Sequence, residues 1–424
     1  MKLNPIPKLK DFDYKDKRVF LRVDFNCPIK NGKVTDENRI REALPTLNYL
    51  LENGAKVTIG SHLGRPEGKK KLEFSLSPVA DKLQELTDLE VIFIDDPLSD
   101  APKALNKQLK KHQVLLLENL RFSPDEKAKT GKLSKHIASY TDIFVNDAFG
   151  VCHREDASVV SFPKYVSKRA MGLLIEKELA ALTEVRDNPE RPLGVIMGGA
   201  KVSDKIPMIQ KLIDKTDVFV IGGAMAFTFL KSQGVPVGAS LVQEDLVGYC
   251  KNLIQRIEAR GKKIILPTDF FIGDSIESET SRLSQTIPAD KMALDVGPLT
   301  IKTFLKELST CKTILWNGPM GVFENKAFER GTKELCLGLS ELKCKKVVGG
   351  GDSAAAAIKF GGDFDHISTG GGASLQFLED KPLPGLEALR SDRKEILEEG
   401  REVLETIDPN LIVTEKNNEA RYDD

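Results

Sequence analysis

Two textures alternate along the chain. Short apolar runs read as buried strands: "RVFLRVDFN", "KVTIGSHL", "EVIFID", "QVLLLENLRF" and "IFVNDAFG" in the first part, then "LGVIMGG", "VFVIGG", "KIILPTDF", "KTILWNG", "KKVVGGG" and "HISTGGG". Between them lie longer stretches with apolar residues at helical spacing, such as "ENRIREALPTLNYLLENG" and "QEDLVGYCKNLIQRIEARG". The second of these ends at Gly261, a residue suited to a helix C-cap. Strand and helix in alternation predict parallel sheets covered by helices on both faces. The fold class is therefore α/β, with two Rossmann-like doubly wound parallel-sheet domains of five or six strands each. "KYVSKRAMGLLIEKELAALTEV" follows the last apolar run of the first part and predicts a helix. As the link between two domains it would be a connector, a hinge helix able to act as a lever. The expected division is residues 1–172 and 173–390. Beyond it the texture changes: "SDRKEILEEGREVLETID" puts Ile396, Val403 and Ile407 near one helix face, with Gly400 interrupting. Residues 391–424 thus read as a surface helix docked on a domain, with a frayed end.

Length agrees with two domains, since 424 residues exceed one ordinary core. The hydrophobic share of 41% and charged share of 29% are those of a soluble globular protein. A net charge of -1 gives no bulk attraction to nucleic acid, but leaves room for local clusters that bind a small anion. The cysteines, at 27, 152, 250, 311, 336 and 344, match neither a zinc site nor a disulfide scaffold, which fits a reducing cytoplasm. "MKLNPIPKLK" has no apolar signal region, and no apolar run is long enough to span a membrane. Neither a nucleic acid nor a membrane is expected as a partner.

Ligands of open α/β sheets bind beyond the carboxyl ends of the strands. In the first half those ends carry Arg22, Asp24 and Asn26, then His62 and Arg65, then Glu118, Asn119 and Arg121, then Asn146, Asp147, His153 and Arg154, with Arg39 at the start of a predicted helix. Arginine presents a planar fork that suits phosphate and carboxylate. Several arginines with two histidines at one sheet edge point to a small, multiply anionic ligand. In the second half the strand ends are glycine pairs and triplets: Gly198-Gly199, Gly222-Gly223, Gly349-Gly350-Gly351 and Gly370-Gly371-Gly372. Glycine admits close backbone approach, and a following helix N-terminus attracts phosphate, so this edge reads as a nucleotide cradle. Asp352 could engage a magnesium–phosphate complex there, cap the following helix, or do both. An anion cluster facing a nucleotide cradle points to phosphoryl transfer with closure to exclude water.

"GGAKVSDK", residues 198–205, looks at first like a damaged phosphate loop. A P-loop needs G-x-x-x-x-G-K-[ST], and no segment of the chain fits that pattern. A helical path would instead set Lys201 and Lys205 one turn apart, both facing the cleft. A G-x-G-x-x-G opening to the first strand–helix turn is also missing, which argues against a dinucleotide-dependent dehydrogenase. A different carboxylate kinase, or a catalytically silent metabolite sensor, stays open on these features alone.

In this order the stretches "RVDFNCP", "SHLGRP", "LENLRF", "NDAFGVCHR", "GGAKVSDKI", "GGAMAFTFL", "WNGPMGVFE", "GGGDS" and "STGGGASLQFLE" resemble the phosphoglycerate kinase family, from about residue 20 to 390. The resemblance implies a hinged monomer that moves the acyl phosphate of 1,3-bisphosphoglycerate to Mg-ADP, giving 3-phosphoglycerate and ATP. It implies contacts to the glycerate from Asp24, Phe25 and Asn26, and a phosphate patch of His62, Leu63, Gly64, Arg65, Arg121 and Arg154. Arg39 would reach the carboxyl group and the moving phosphoryl, together with Lys201, Lys205 and a helix start at Gly371 and Gly372. The nucleotide would lie against Lys201, Lys205, Gly222, Gly223, Ala293, Asn317, Gly350, Gly351 and Ser353, with Glu324 on the ribose. Asp352 would attend the Mg2+ of Mg-ADP or Mg-ATP. The chain departs from the family pattern at Cys27, Ala293 and Asp156, the last replacing a usual histidine. Cys27 and Cys152 are expected to serve as small buried packing residues.

Overall fold

The computed structural model describes residues 5–390, so the extension expected after 390 lies outside the described residues. Six parallel strands form the first sheet: β1 (Arg18–Arg22), β2 (Lys56–Gly60), β3 (Glu90–Ile94), β4 (Gln113–Leu117), β5 (Ile143–Asn146) and β6 (Lys168–Met171). Their order across the sheet is β3-β4-β2-β1-β5-β6. The chain then supplies β7 (Leu193–Met197), β8 (Val218–Ile221) and β9 (Lys263–Ile265). Next come β10 (Phe270–Gly273), β11 (Arg282–Ser284) and β12 (Met292–Val296), followed by β13 (Thr313–Asn317), β14 (Lys345–Val348) and β15 (His366–Ile367). The second six-stranded sheet runs β9-β8-β7-β13-β14-β15, the Rossmann order once its own strands are numbered along the chain. Its strands are covered on both sides, which is why they read as unbroken apolar runs rather than alternating ones.

Both sheets reverse direction at a defined place. In the first sheet the chain order turns between β1 and β5, and in the second between β7 and β13. A crevice opens at such a switch point, beyond the carboxyl ends of the two strands. Asp24 and Asp147 follow β1 and β5; Gly198 and Gly318 follow β7 and β13.

Three elements differ from the pattern. "KYVSKRAMG" is not part of the connecting helix: Lys164 and Tyr165 end a short 3-10 turn, Lys168–Met171 is the edge strand β6, parallel to β5, and the connecting helix covers only Leu173–Asp187. As an edge strand it carries the charged Lys168 and Arg169, which hid the strand texture. The antiparallel trio β11-β10-β12 was not foreseen, because β11 is short and largely exposed. The helix of "QEDLVGYCKNLIQRIEARG" covers Val247–Glu258, and Gly261 takes the left-handed turn just beyond, with φ 67.

The connecting helix buries Leu174, Ile175, Leu182 and Val185 on one face. That face joins the core under Phe20, Phe144 and Phe162 to the core around Leu193, Val195 and Met197, so apolar packing is continuous through the waist. The short Pro384–Glu387 helix returns to the first half, where the Gly385 N–H donates to the Cys152 carbonyl at 2.8 Å. No helix among the described residues is long and apolar enough to cross a membrane.

Candidate functional site

The polar residues at the carboxyl edge of the first sheet are held by a buried frame. Asn26 Oδ1 accepts from the Gly64 N–H at 2.9 Å, and the Phe25 N–H donates to Ser61 Oγ at 2.8 Å. Asn119 Nδ2 donates to the carbonyls of Leu63 at 2.7 Å and Phe74 at 2.9 Å. The loop carrying Leu63, Gly64 and Arg65 is thereby fixed from two sides. Asp24 pairs with Arg39 and lies 3.9 Å from His62 Nδ1. Burial pushes the Asp24 carboxyl up, but the Arg39 and Arg22 guanidinium groups, with the His62 ring beside them, leave its pKa below the usual carboxylate value.

The two histidines bring polarity rather than charge. Burial pushes His62 well below its usual value, and Arg22, Arg121 and Arg154 add to that against Asp24. Burial and Arg154 lower His153 as well. The positive charge of the site therefore comes from arginine. Arg22, placed in this cluster by its strand end, is not open to a ligand: it is fully buried and donates to Ser158 Oγ at 2.8 Å and to the Val23 carbonyl. Glu118 is likewise structural, accepting from the Leu76 N–H at 2.8 Å and Ser75 Oγ at 2.7 Å. Arg65 is exposed and Arg154 half-buried, and neither has a protein partner among the described residues. Cys27 and Cys152 are both buried, as packing residues should be; burial pushes the Cys27 thiol up to about 12.

The opposite edge is built from backbone. Gly198 passes so close to β13's loop that a Cβ there would lie 2.0 Å from the Pro319 carbonyl oxygen. Beyond it, residues 201–205 do not form a helix: the segment is a turn, with the Lys205 N–H on the Val202 carbonyl at 2.9 Å, and the helix begins at Ile206. The Pro at the helix's second position sets that later start. Lys201 is exposed, whereas Lys205 turns inward to Asn317 Oδ1. Burial lowers the Lys205 pKa against the opposing pull of Asp352 and Asp204. Gly350, with φ 96, is the N-cap of the Gly351–Lys359 helix. Asp352 therefore sits inside the first turn and does not cap; its carboxylate is exposed and has no protein partner among the described residues. Ser353 is buried, and its hydroxyl is given to the Gly349 carbonyl at 2.6 Å. Gly222 and Gly223 are buried beside Met320, Ala293 is buried in the cluster of Phe227, Val237 and Ile272, and Glu324 is exposed.

The two edges touch at the last glycine triplet. Gly371 is the N-cap of the Gly372–Leu378 helix, and a Cβ on Gly372 would lie 3.4 Å from His153 Nε2 of the first half. Gly370 lies against Phe149, and a Cβ on Gly150 would be 2.8 Å from Asp24 Oδ2 and 3.4 Å from the Thr369 carbonyl. Glu178 and His366 were missed in the sequence. Glu178 Oε1 accepts from the Thr369 N–H at 2.7 Å and Thr369 Oγ1 at 2.9 Å, and Oε2 meets His366 Nε2 at 2.8 Å. The available signal was a glutamate at a core-facing position of an apolar helix stripe. Asp147 holds the first turn of the same Leu173–Asp187 helix, accepting from the N–H groups of Leu174 at 2.9 Å and Ile175 at 3.3 Å.

Two doubly wound sheets, one edged with arginine and one with glycine loops, define a two-lobed phosphotransferase. A family model described as phosphoglycerate kinase matches residues 9–381, and the chain belongs to that family. A phosphoglycerate kinase of Bdellovibrio bacteriovorus is 50% identical over 395 residues, 92% of this chain and 98% of the relative. One of Clostridium botulinum is 46% identical over 388 residues, 90% of this chain and 98% of the relative. The solved phosphoglycerate kinase of Coxiella burnetii superposes with a TM-score of 0.79 at 37% identity, covering 91% of this chain and 99% of that one. That of Pyrococcus horikoshii gives 0.78 at 32% identity, covering 90% and 98%. The activity is reversible phosphoryl transfer between 1,3-bisphosphoglycerate and ADP, yielding 3-phosphoglycerate and ATP, in glycolysis and gluconeogenesis.

Proposed function

We propose that the β1/β5 crevice binds the phosphoglycerate, the β7/β13 crevice binds the Mg-nucleotide, and transfer runs in line between them after the halves close. The observation that carries this reading is the Gly372–Leu378 helix start packed against His153, since it joins the two edges at one point. Residues 1–172 form the substrate domain and 173–390 the nucleotide domain. Asp24, Phe25 and Asn26 face the glycerate, Arg65, Arg121 and Arg154 its phosphate, and Arg39 the carboxyl end. His62 contributes a neutral ring, and Leu63 and Gly64 set the wall of the pocket.

On the other side, Gly222, Gly223 and Ala293 line the base, Glu324 the ribose, and Lys201 with Asn317, Gly350, Gly351 and Ser353 the phosphates. Asp352 fits Mg2+: a single exposed carboxylate without a protein partner suits an ion that keeps its waters and takes other ligands from phosphate. When bound, the ion would draw charge from the phosphate oxygens. Lys205, Arg39 and the backbone N–H groups at Gly371 and Gly372 then face the charge that develops during transfer. Such donors are effective because they are placed in advance. No general base is needed in the ATP-forming direction, because the attacking oxygen of ADP is already ionised. The enzyme acts as a cytoplasmic monomer.

The experiment is a coupled assay on Lys205→Ala, paired with calorimetric ADP binding. The variant should lose about 10²–10³-fold in kcat while ADP affinity changes only a few-fold. Equal losses in both would refute a transition-state role for Lys205.

A further inference from the structure

Arg121 is the most enclosed arginine of the proposed phosphate patch, with 6% of its side chain exposed, and its charge is shared. One Nη donates to the Gly64 carbonyl at 2.8 Å and the other to Asp156 Oδ2 at 2.9 Å. Asp156 is itself 3% exposed, and its other oxygen accepts from Lys127 Nζ at 2.5 Å. Lys127, in contrast, keeps 61% of its side chain in solvent.

A carboxylate in this position does two opposed things. It fixes the plane of the Arg121 fork, which favours a bidentate contact. It also cancels the charge that would attract a phosphate dianion. Burial raises the Asp156 carboxyl, but the hydrogen bonds from Lys127 and Arg121 outweigh it and hold it at about 2, so the negative charge persists across the working range. Arg121 and Asp156 alone would sum to zero; with Lys127 the three groups carry two positive charges and one negative, a net +1.

We propose that Asp156 and Lys127 are positioning residues for the phosphate end of the substrate: Asp156 orients Arg121, and Lys127 restores the positive charge that Asp156 removes. The proposal rests on the assignment of Arg121 to the substrate phosphate made above. Lys127 acts without touching the ligand, as the outer member of a chain that ends at the Arg121 fork. This gives a surface lysine on the short Asp125–Ala128 helix a part in substrate affinity.

Charge counting makes the test specific. Lys127→Met leaves a net charge of about 0 on the group, Asp156→Asn about +2, and the double variant about +1 again. KM for 3-phosphoglycerate should rise on the order of tenfold in Lys127→Met, fall in Asp156→Asn, and return to within about twofold of the parent in the double variant. KM for MgATP should move less than about twofold throughout, and added salt should shrink each difference. That reversal in the double variant is what a merely structural role for Asp156 would not produce. An unchanged KM in Lys127→Met, equal increases for both substrates, or a double variant worse than Lys127→Met would each overturn the proposal. Thermal unfolding reports whether Asp156→Asn folds; if it does not, the exposed Lys127→Met decides alone. Arg65→Ala separates the two levels. A raised 3-phosphoglycerate KM there, with none in Lys127→Met, removes the triad and keeps the site, while no rise in either removes the site assignment itself.

Discussion

Asp147 is the residue whose charge state most directly concerns the joint between the halves. Burial pushes its carboxyl up to about 7, against hydrogen bonds from Thr46, Ile175 and Leu174. A folded-state pKa above the unfolded one contributes stability that is complete below about pH 4 and is lost as pH rises through 7. The full shift corresponds to about 4 kcal/mol. Asp147→Asn keeps an oxygen for the helix N–H groups and cannot ionise. Its unfolding free energy should therefore fall less than the parent's between pH 5 and 8, as followed by urea denaturation; parallel profiles would exclude the titration. At this scale the sequence exposed residue types better than their roles. Arg65, Arg121 and Arg154 stand out as candidates because strand ends are where ligands bind, and Arg39 because it opens a neighbouring helix. Arg22 could not be told from them, since its commitment to Ser158 and Val23 depends on a fold that brings position 158 under β1. Nor could Lys201 be told from Lys205 until the turn at Val202 left one exposed and brought the other to Asn317.

The Leu173–Asp187 helix is the element through which the two sheets communicate. Its first turn is held by Asp147 of the first sheet's edge, and Glu178, one turn on, holds Thr369 and His366 beside the last glycine triplet. A carboxylate with no exposed surface is tolerated there because both its oxygens are occupied. Glu178→Ala would leave the Thr369 N–H and hydroxyl and the His366 ring without their acceptor. The expected cost is about 2–4 kcal/mol, measured by denaturant unfolding; a loss below about 0.5 kcal/mol would mean the clamp is not a structural tie. The helix itself could be read from its apolar spacing, but its start could not, because β6 precedes it with a charged edge-strand texture. The inner strands of both sheets were visible for the opposite reason: covered on both faces, they leave no polar interruptions. Strand order was not visible at all, since β13 pairs with β7 across more than a hundred residues that include the antiparallel trio.

For the whole molecule, the arrangement is two sheets, each with a crevice at its switch point, and one apolar cluster that runs through the waist between them. In the proposed reading each crevice is incomplete for transfer without the other: the arginine edge would hold the phosphoglycerate, and the glycine edge the ADP that accepts its phosphoryl group. Binding both ligands should draw the halves together, because contacts across the gap form only when both are present. The central claim is therefore a clamp that needs two occupants. Small-angle X-ray scattering of the full chain alone, with 3-phosphoglycerate, with MgADP, and with both tests it most directly. The account predicts the smallest radius of gyration with both ligands bound, below either single-ligand value; a radius that does not change with ligand would contradict it.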